Sequence, residues 1–257
     1  MGATGPVPKP EFRGVSSAIV IIPARMAAQR LPGKPLADIG GVPMVVRALR
    51  QAEAADIGPV VVAAGEAEIV EAVESQGGRA ILTDPDLPSG SDRVRAALQA
   101  VDSQGQFDAV INLQGDMPFV DPATIAAVAR VMATEPGCDI GTAVAVEASV
   151  EDRCNPDVVK AVLAMTAADR GRALYFTRST LYGDAPVWRH IGIYGYRRAA
   201  LDRFCAAPPS PLERREKLEQ LRALEMGLSI WAAVVSEAPI SVDNPGDLEA
   251  ARASVGA

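Results

Sequence analysis

The chain has 257 residues, 49% hydrophobic and 22% charged, which is enough to bury a sizeable core and too apolar for intrinsic disorder. Its 25 Lys and Arg against 32 Asp and Glu leave a net charge of -7, the reverse of a general nucleic-acid binder, so any anionic ligand needs a local positive pocket. Three scattered cysteines (Cys138, Cys154, Cys205) form no Cys-x-x-Cys pair and predict reduced thiols in a cytoplasmic protein, and no apolar run is long enough to predict a membrane span.

In chain order, residues 1–15 carry four Pro and Gly among their first eight and lack the layout of a secretory signal. They are expected to form a flexible tail ahead of a single domain, 16–257. Ala18–Ile22, ended by Pro23, predicts a strand buried on both faces. A Pro- and Gly-rich loop follows, and Pro43 opens a helix over 44–56. Strands are expected at Pro59–Ala63, Arg79–Leu82 and Ala109–Leu113, and helices at Glu66–Gln76, Asp92–Val101 and Asp121–Met132, the last capped by Asp121 ahead of Pro122. This alternation predicts an α/β fold with a doubly wound, mostly parallel sheet, whose ligand lies beyond the carboxyl ends of the strands. Loops 23–35, 83–91 and 114–119 should all open there.

The second half is less regular. Ile140–Val146, Val158–Ala164, Ala173–Phe176 and Ile191–Tyr196 predict a smaller mixed β extension, a subdomain over roughly 140–210. Leu212–Met226 predicts one or two amphipathic helices, Ile230–Val235 a strand, and Asn244 with Asp247 a capping box opening the last helix.

No acid occurs between Arg13 and Asp38, so Arg25, Arg30 and Lys34 read as an uncompensated basic cluster suited to a triphosphate. Small residues Ala27, Ala28 and Gly33 would let the backbone approach it. The loop has neither the Walker spacing nor a dinucleotide fingerprint. Ser89–Arg93 reads as a turn into a helix, either an ordinary capped start or one whose free N–H groups meet an anion. Asp116 and Asp243 are loop acids that serve equally as turn residues or as ligands of a hard divalent cation. His190, the only histidine, suits a structural or a binding role.

The run IPARMAAQRLPGKPL resembles the signature loop of the 3-deoxy-manno-octulosonate (Kdo) cytidylyltransferases, the CMP-Kdo synthetases. SGSDR at 89–93, NLQGDMPF at 112–119, ALYFTR at 173–178, HIGIYGYRR at 190–198, PPSPLERREKLEQLRALE at 208–225 and VDNPGDLE at 242–249 carry the resemblance along the chain in family order. It implies a nucleotidyltransferase that joins CTP to Kdo, giving CMP-Kdo and diphosphate for lipopolysaccharide biosynthesis, with the β extension building a homodimer. Kin that use an 8-amino-Kdo or a sialic-like acid, or that bind without catalysis, are the alternatives.

It also implies roles for residues. Arg25, Arg30 and Lys34 clamp the triphosphate, and Asp116 and Asp243 hold Mg²⁺. Pro23, Ala24, Arg25, Lys34, Ser89, Gly90, Ser91 and Arg93 bind the nucleotide. Gln114, Arg178, His190, Tyr194, Glu219 and Gln220 bind the sugar acid. The chain departs from the family pattern at Ala64-Gly65, where Thr-Asp is common, at Met117, where an acid is common, and at Asn244, where Thr is common.

Overall fold

The computed structural model describes residues 17–27, 30–147, 149–183 and 187–255, so the expected tail lies outside the described residues. The first half contains β1 (Ala18–Ala24), β2 (Asp38–Ile39), β3 (Val42–Pro43), α1 (Met44–Ala54), β4 (Val60–Ala64), α2 (Ala67–Glu74), β5 (Ala80–Leu82), α3 (Gly90–Val101), β6 (Ala109–Asn112) and α4 (Pro122–Thr134). The second contains β7 (Ile140–Glu147), α5 (Val150–Cys154), β8 (Lys160–Ala167), β9 (Arg170–Thr177), β10 (Val187–Arg197), α6 (Arg198–Ala206), α7 (Pro211–Glu216), α8 (Gln220–Glu225), β11 (Ile230–Val235) and α9 (Pro245–Ala253).

Among the described residues the fold is α/β, with one nine-stranded mixed sheet in the order β5-β4-β1-β6-β10-β7-β11-β9-β8 and a small β2–β3 hairpin. The apolar run makes β1 an interior strand: Val20 and Ile22 pack beneath α1, α2 and α4, while Ile19 and Ile21 pack against α3 and α6. Burying each such aliphatic side chain contributes about 1.5–3 kcal/mol. β5, β4, β1 and β6 run parallel, so their carboxyl ends share one edge of the sheet.

Three expectations are corrected. β1 runs through Pro23 to Ala24 rather than stopping at Ile22. The amide of Val20 faces β4, so by alternation the Pro23 nitrogen faces β6, beyond the last pairing of Ile21 with Asn112, and its missing N–H costs no ladder bond. α3 begins at Gly90, two residues before the expected start, because Ser89 is its cap. The mixed part is no smaller appendage. Starting at Val187, β10 pairs with β6 through Tyr194–Arg197 and with β7 along most of its length, so β7–β11 supply five of the nine strands in one continuous sheet.

Candidate active site

The three expected loops do meet. Beyond the ends of the parallel strands lies a cleft of about 700 Å³, lined by Pro23, Ala24, Arg25, Ala27, Lys34, Leu87, Ser89, Gly90, Arg93, Gln114 and Asp116 among others. This volume suits a ligand of nucleotide size. Its basic wall turns at Gly33, which adopts φ +69° and donates its amide to the Met26 carbonyl; this left-handed conformation favours glycine.

The basic cluster is not uncompensated. Lys34 Nζ donates to Asp116 Oδ2 at 2.7 Å and to Asp243 Oδ1 at 3.0 Å, and Arg30 lies 3.4 Å from Asp243. Local sequence shows no acid near these bases, but the fold delivers two from far away. Only Arg25 of the three stands exposed at the cleft without a carboxylate in ion-pair contact among the described residues. Burial by itself would lower the Lys34 pKa, but the two carboxylates reverse this and leave it raised. Asp116 is pushed up by burial, an effect that Lys34 offsets only in part.

Backbone bonds explain how residues so distant in sequence converge. The Val242 amide donates to the Asp116 carbonyl, joining the two loops. The capping box of α9 is present, with the Asn244 side chain accepting from the Asp247 amide and Asp247 accepting from the Asn244 amide. The same Asp247 carboxylate also accepts from the Asp243 amide at 2.8 Å, so the cap sets the acid before it. Val242, Leu248 and Ala251 anchor α9 on Ile39 and Met44.

The donor set suits a hard divalent ion. Two carboxylate oxygens already flank one cation, the Lys34 ammonium, within about 6 Å of each other. Among the described residues no group of three or more His, Cys, Asp or Glu gathers, so an ion held here would draw on these two acids.

Ser89 caps α3, accepting from the Asp92 amide and donating to Asp92 Oδ2, and with Gly90 it lines the cleft. The capped start is therefore present, and the turn that carries it opens onto the cleft. Ser91 does not line the cleft. It is buried and donates to Glu219 Oε2. Arg93 is buried beneath the cleft and donates to Thr83 Oγ1, the Asp84 carbonyl and the Pro85 carbonyl.

Of the expected sugar-acid residues, Gln114 lines the cleft and donates to Asn112 Oδ1. The others do not line it. His190 packs edge-on to Phe176, lies tilted against Tyr194 and bonds Thr142 Oγ1 at 3.0 Å. Burial lowers its pKa to about 3, which leaves the ring neutral. Burial raises the Glu219 pKa, with Arg222 opposing, and Glu219 Oε1 is buried without a hydrogen-bond partner. Gln220 is buried, and Arg178 donates to the Pro156 carbonyl at the end of the extension.

One contact escaped the sequence reading. Glu66 Oε2 accepts from the Met26 amide at 2.9 Å, across 40 positions, and an acid in the first residues of a helix gave no signal that it would serve the neighbouring loop.

The sequence profile of the cytidylyltransferase family matches residues 19–230. A relative from Parvibaculum lavamentivorans, named 3-deoxy-manno-octulosonate cytidylyltransferase, is 56% identical over 92% of each chain. One of the same name from Rhodospirillum centenum is 56% identical over 91% of this chain and 92% of its own. A solved structure described as CMP:2-keto-3-deoxy-manno-octonic acid synthetase complexed with CTP superimposes with a TM-score of 0.86 at 35% identity, over 94% of this chain and 99% of that one. A 4-diphosphocytidyl-2C-methyl-D-erythritol synthase from Anaerococcus prevotii, 11% identical with a TM-score of 0.63, shares the fold.

Proposed function

The chain belongs to the 3-deoxy-manno-octulosonate cytidylyltransferase family, and from that premise we propose that it joins CTP to Kdo, releasing diphosphate. The observation that carries the reading is the meeting of Asp116, Asp243 and Lys34 at a cleft whose other wall holds Arg25, Ser89 and Gly90.

In this reading the triphosphate lies along Arg25 and Lys34, with the amino end of α3 facing it. The anomeric hydroxyl oxygen of Kdo attacks the α-phosphorus in line. A bond forms from that oxygen to phosphorus, the bond to the β-phosphate bridging oxygen breaks, and the hydroxyl proton passes to water. Arg25, Arg30 and Lys34 stabilise the negative charge that grows on the departing diphosphate, so positioning and electrostatics do the work without a covalent enzyme intermediate. Asp116 and Asp243 would hold Mg²⁺, which when bound supplies charge neutralisation at the phosphates.

The sugar acid is assigned to the Gln114 end of the cleft, with Glu219, His190 and Tyr194 as the groups it would reach beyond the present lining. A homodimer built from the extension is part of the proposal, supported by the exposed apolar side chains Met165 and Leu174 on β8 and β9.

The test is diphosphate release with each of the four nucleoside triphosphates, with and without Kdo or its 8-amino analogue and Mg²⁺. Release with CTP, Kdo and Mg²⁺ together, and not when any one is withheld, is expected. Equal release without a sugar acid, or with UTP, would overturn it.

A further inference from the structure

The amino end of α2 departs from ordinary helix capping. Glu66 occupies the cap position, where Ser, Thr, Asp and Asn are preferred, and its side chain caps none of the amides of its own helix. The carboxylate reaches the next loop instead, where Oε2 accepts from the Met26 amide. Met26 follows Arg25 directly, and its carbonyl accepts from Gly33, the residue before Lys34. A single side chain thus holds the point from which both phosphate-facing cations depart.

The same spot has an electrostatic difficulty. A Cβ built on Gly65 would stand 3.1 Å from Arg93 Nη1 and 3.3 Å from the Arg25 Cβ, so the turn after β4 packs between the Arg93 guanidinium and the stem of Arg25. The hydrogen bonds of Arg93 end on a hydroxyl and two carbonyls, and no carboxylate accepts from it among the described residues. Burial lowers the Arg93 pKa and Arg25 adds to the effect, while Glu66 and Asp84 oppose it. An acid paired directly with Arg25 would compete with an arriving phosphate. Bonded to the backbone beside Arg25, the same charge leaves the guanidinium available.

We propose that Glu66 is a positioning residue for nucleotide binding: its carboxylate fixes the Met26 amide and balances the Arg25–Arg93 pair, so that the loop meets the triphosphate already ordered. The inference rests on the cytidylyltransferase reading. It also places an acid in the site although position 65 has none. A charge-assisted bond is about twice as strong as a neutral one, so the glutamine variant keeps part of the effect and the alanine variant none.

The experiment is calorimetric titration of CTP into the full-length protein, Glu66→Gln and Glu66→Ala, with Mg²⁺ present, followed by steady-state kinetics. Kd and KM for CTP should rise about threefold in Glu66→Gln and about tenfold in Glu66→Ala. At saturating CTP, kcat and the KM for Kdo should stay within about twofold of the parent, a split that general loosening of the fold would not produce. Absence of CTP binding by the parent protein overturns the functional reading and this inference with it. Parent binding with unchanged Kd in both variants overturns this inference alone. Should Glu66→Ala fail to fold, Glu66→Gln decides by the same threefold criterion.

Discussion

At the carboxyl ends of β1, β4 and β6, charged side chains stand at an open cleft and pair across long stretches of chain, Lys34 with Asp116 and Asp243 above all. Along β9 and β10 the candidate residues are aromatic or neutral: Phe176, His190, Tyr194 and Tyr196 follow one another in ring contact. Glu219, an acid near this row, leaves an oxygen buried without a hydrogen-bond partner, 3.8 Å from the Arg222 guanidinium. Both regions belong to one sheet, joined where β6 pairs with β10. The first region thus concentrates charge at an open cleft, where the proposed reaction needs it, whereas the second packs rings against one another with few charges. Substitutions in the first should therefore strike turnover, and those in the second should strike stability or the affinity for one substrate.

The largest effect separating them is expected for Asp116→Ala, a loss on the order of 10²–10³ in kcat at saturating CTP, Kdo and Mg²⁺, read as diphosphate release. Near-normal turnover would erase the distinction. Next comes the pH response of the aromatic row. The folded pKa of His190 is about 3, and the unfolded ring titrates near 6.5, so between these values the unfolded state alone takes up the proton. The contribution of the neutral ring is complete above about pH 6.5 and declines as pH falls. Chemical denaturation should show about 2 kcal/mol lost between pH 6.5 and pH 5, and His190→Gln should flatten that slope. A flat profile in the parent protein would contradict a neutral, half-buried histidine.

A smaller effect sharpens the contrast between substrates. Glu219→Ala should raise the KM for Kdo about tenfold and leave that for CTP within about twofold, the size expected for one bond to a charged group. Equal shifts in both would place Glu219 with the nucleotide. The smallest is Asn244→Ala, which should cost about 1 kcal/mol of unfolding free energy through the lost cap of α9. Thermal denaturation measures it, and a drop in kcat beyond that of the exposed substitution Glu249→Ala would report the bond from Asp247 to the Asp243 amide.

What could be read from the chain divides along the same line. The apolar period of β1, the Asp121 cap of α4 and the Asn244–Asp247 box are local patterns, and the fold contains each of them. The gathering of the three loops followed from the alternation of strands and helices. Pairing across 82 and 209 positions left no local trace, so the neighbourhood of Lys34 read as free positive charge. The same limit hid Glu66, whose partner is 40 positions away, and the continuation of β1 through Pro23, which depends on where β6 ends. α6 was legible in principle, because Ala200, Leu201 and Phe204 share one face, but it begins directly where β10 stops, with no turn residue between them.

The central claim is that Asp116 and Asp243 act as one unit. A double-mutant cycle on kcat with Asp116→Ala, Asp243→Ala and the pair tests it most directly. The account predicts that the double variant is no worse than the poorer single one within about threefold. Losses that multiply, each acid contributing independently of the other, would contradict it.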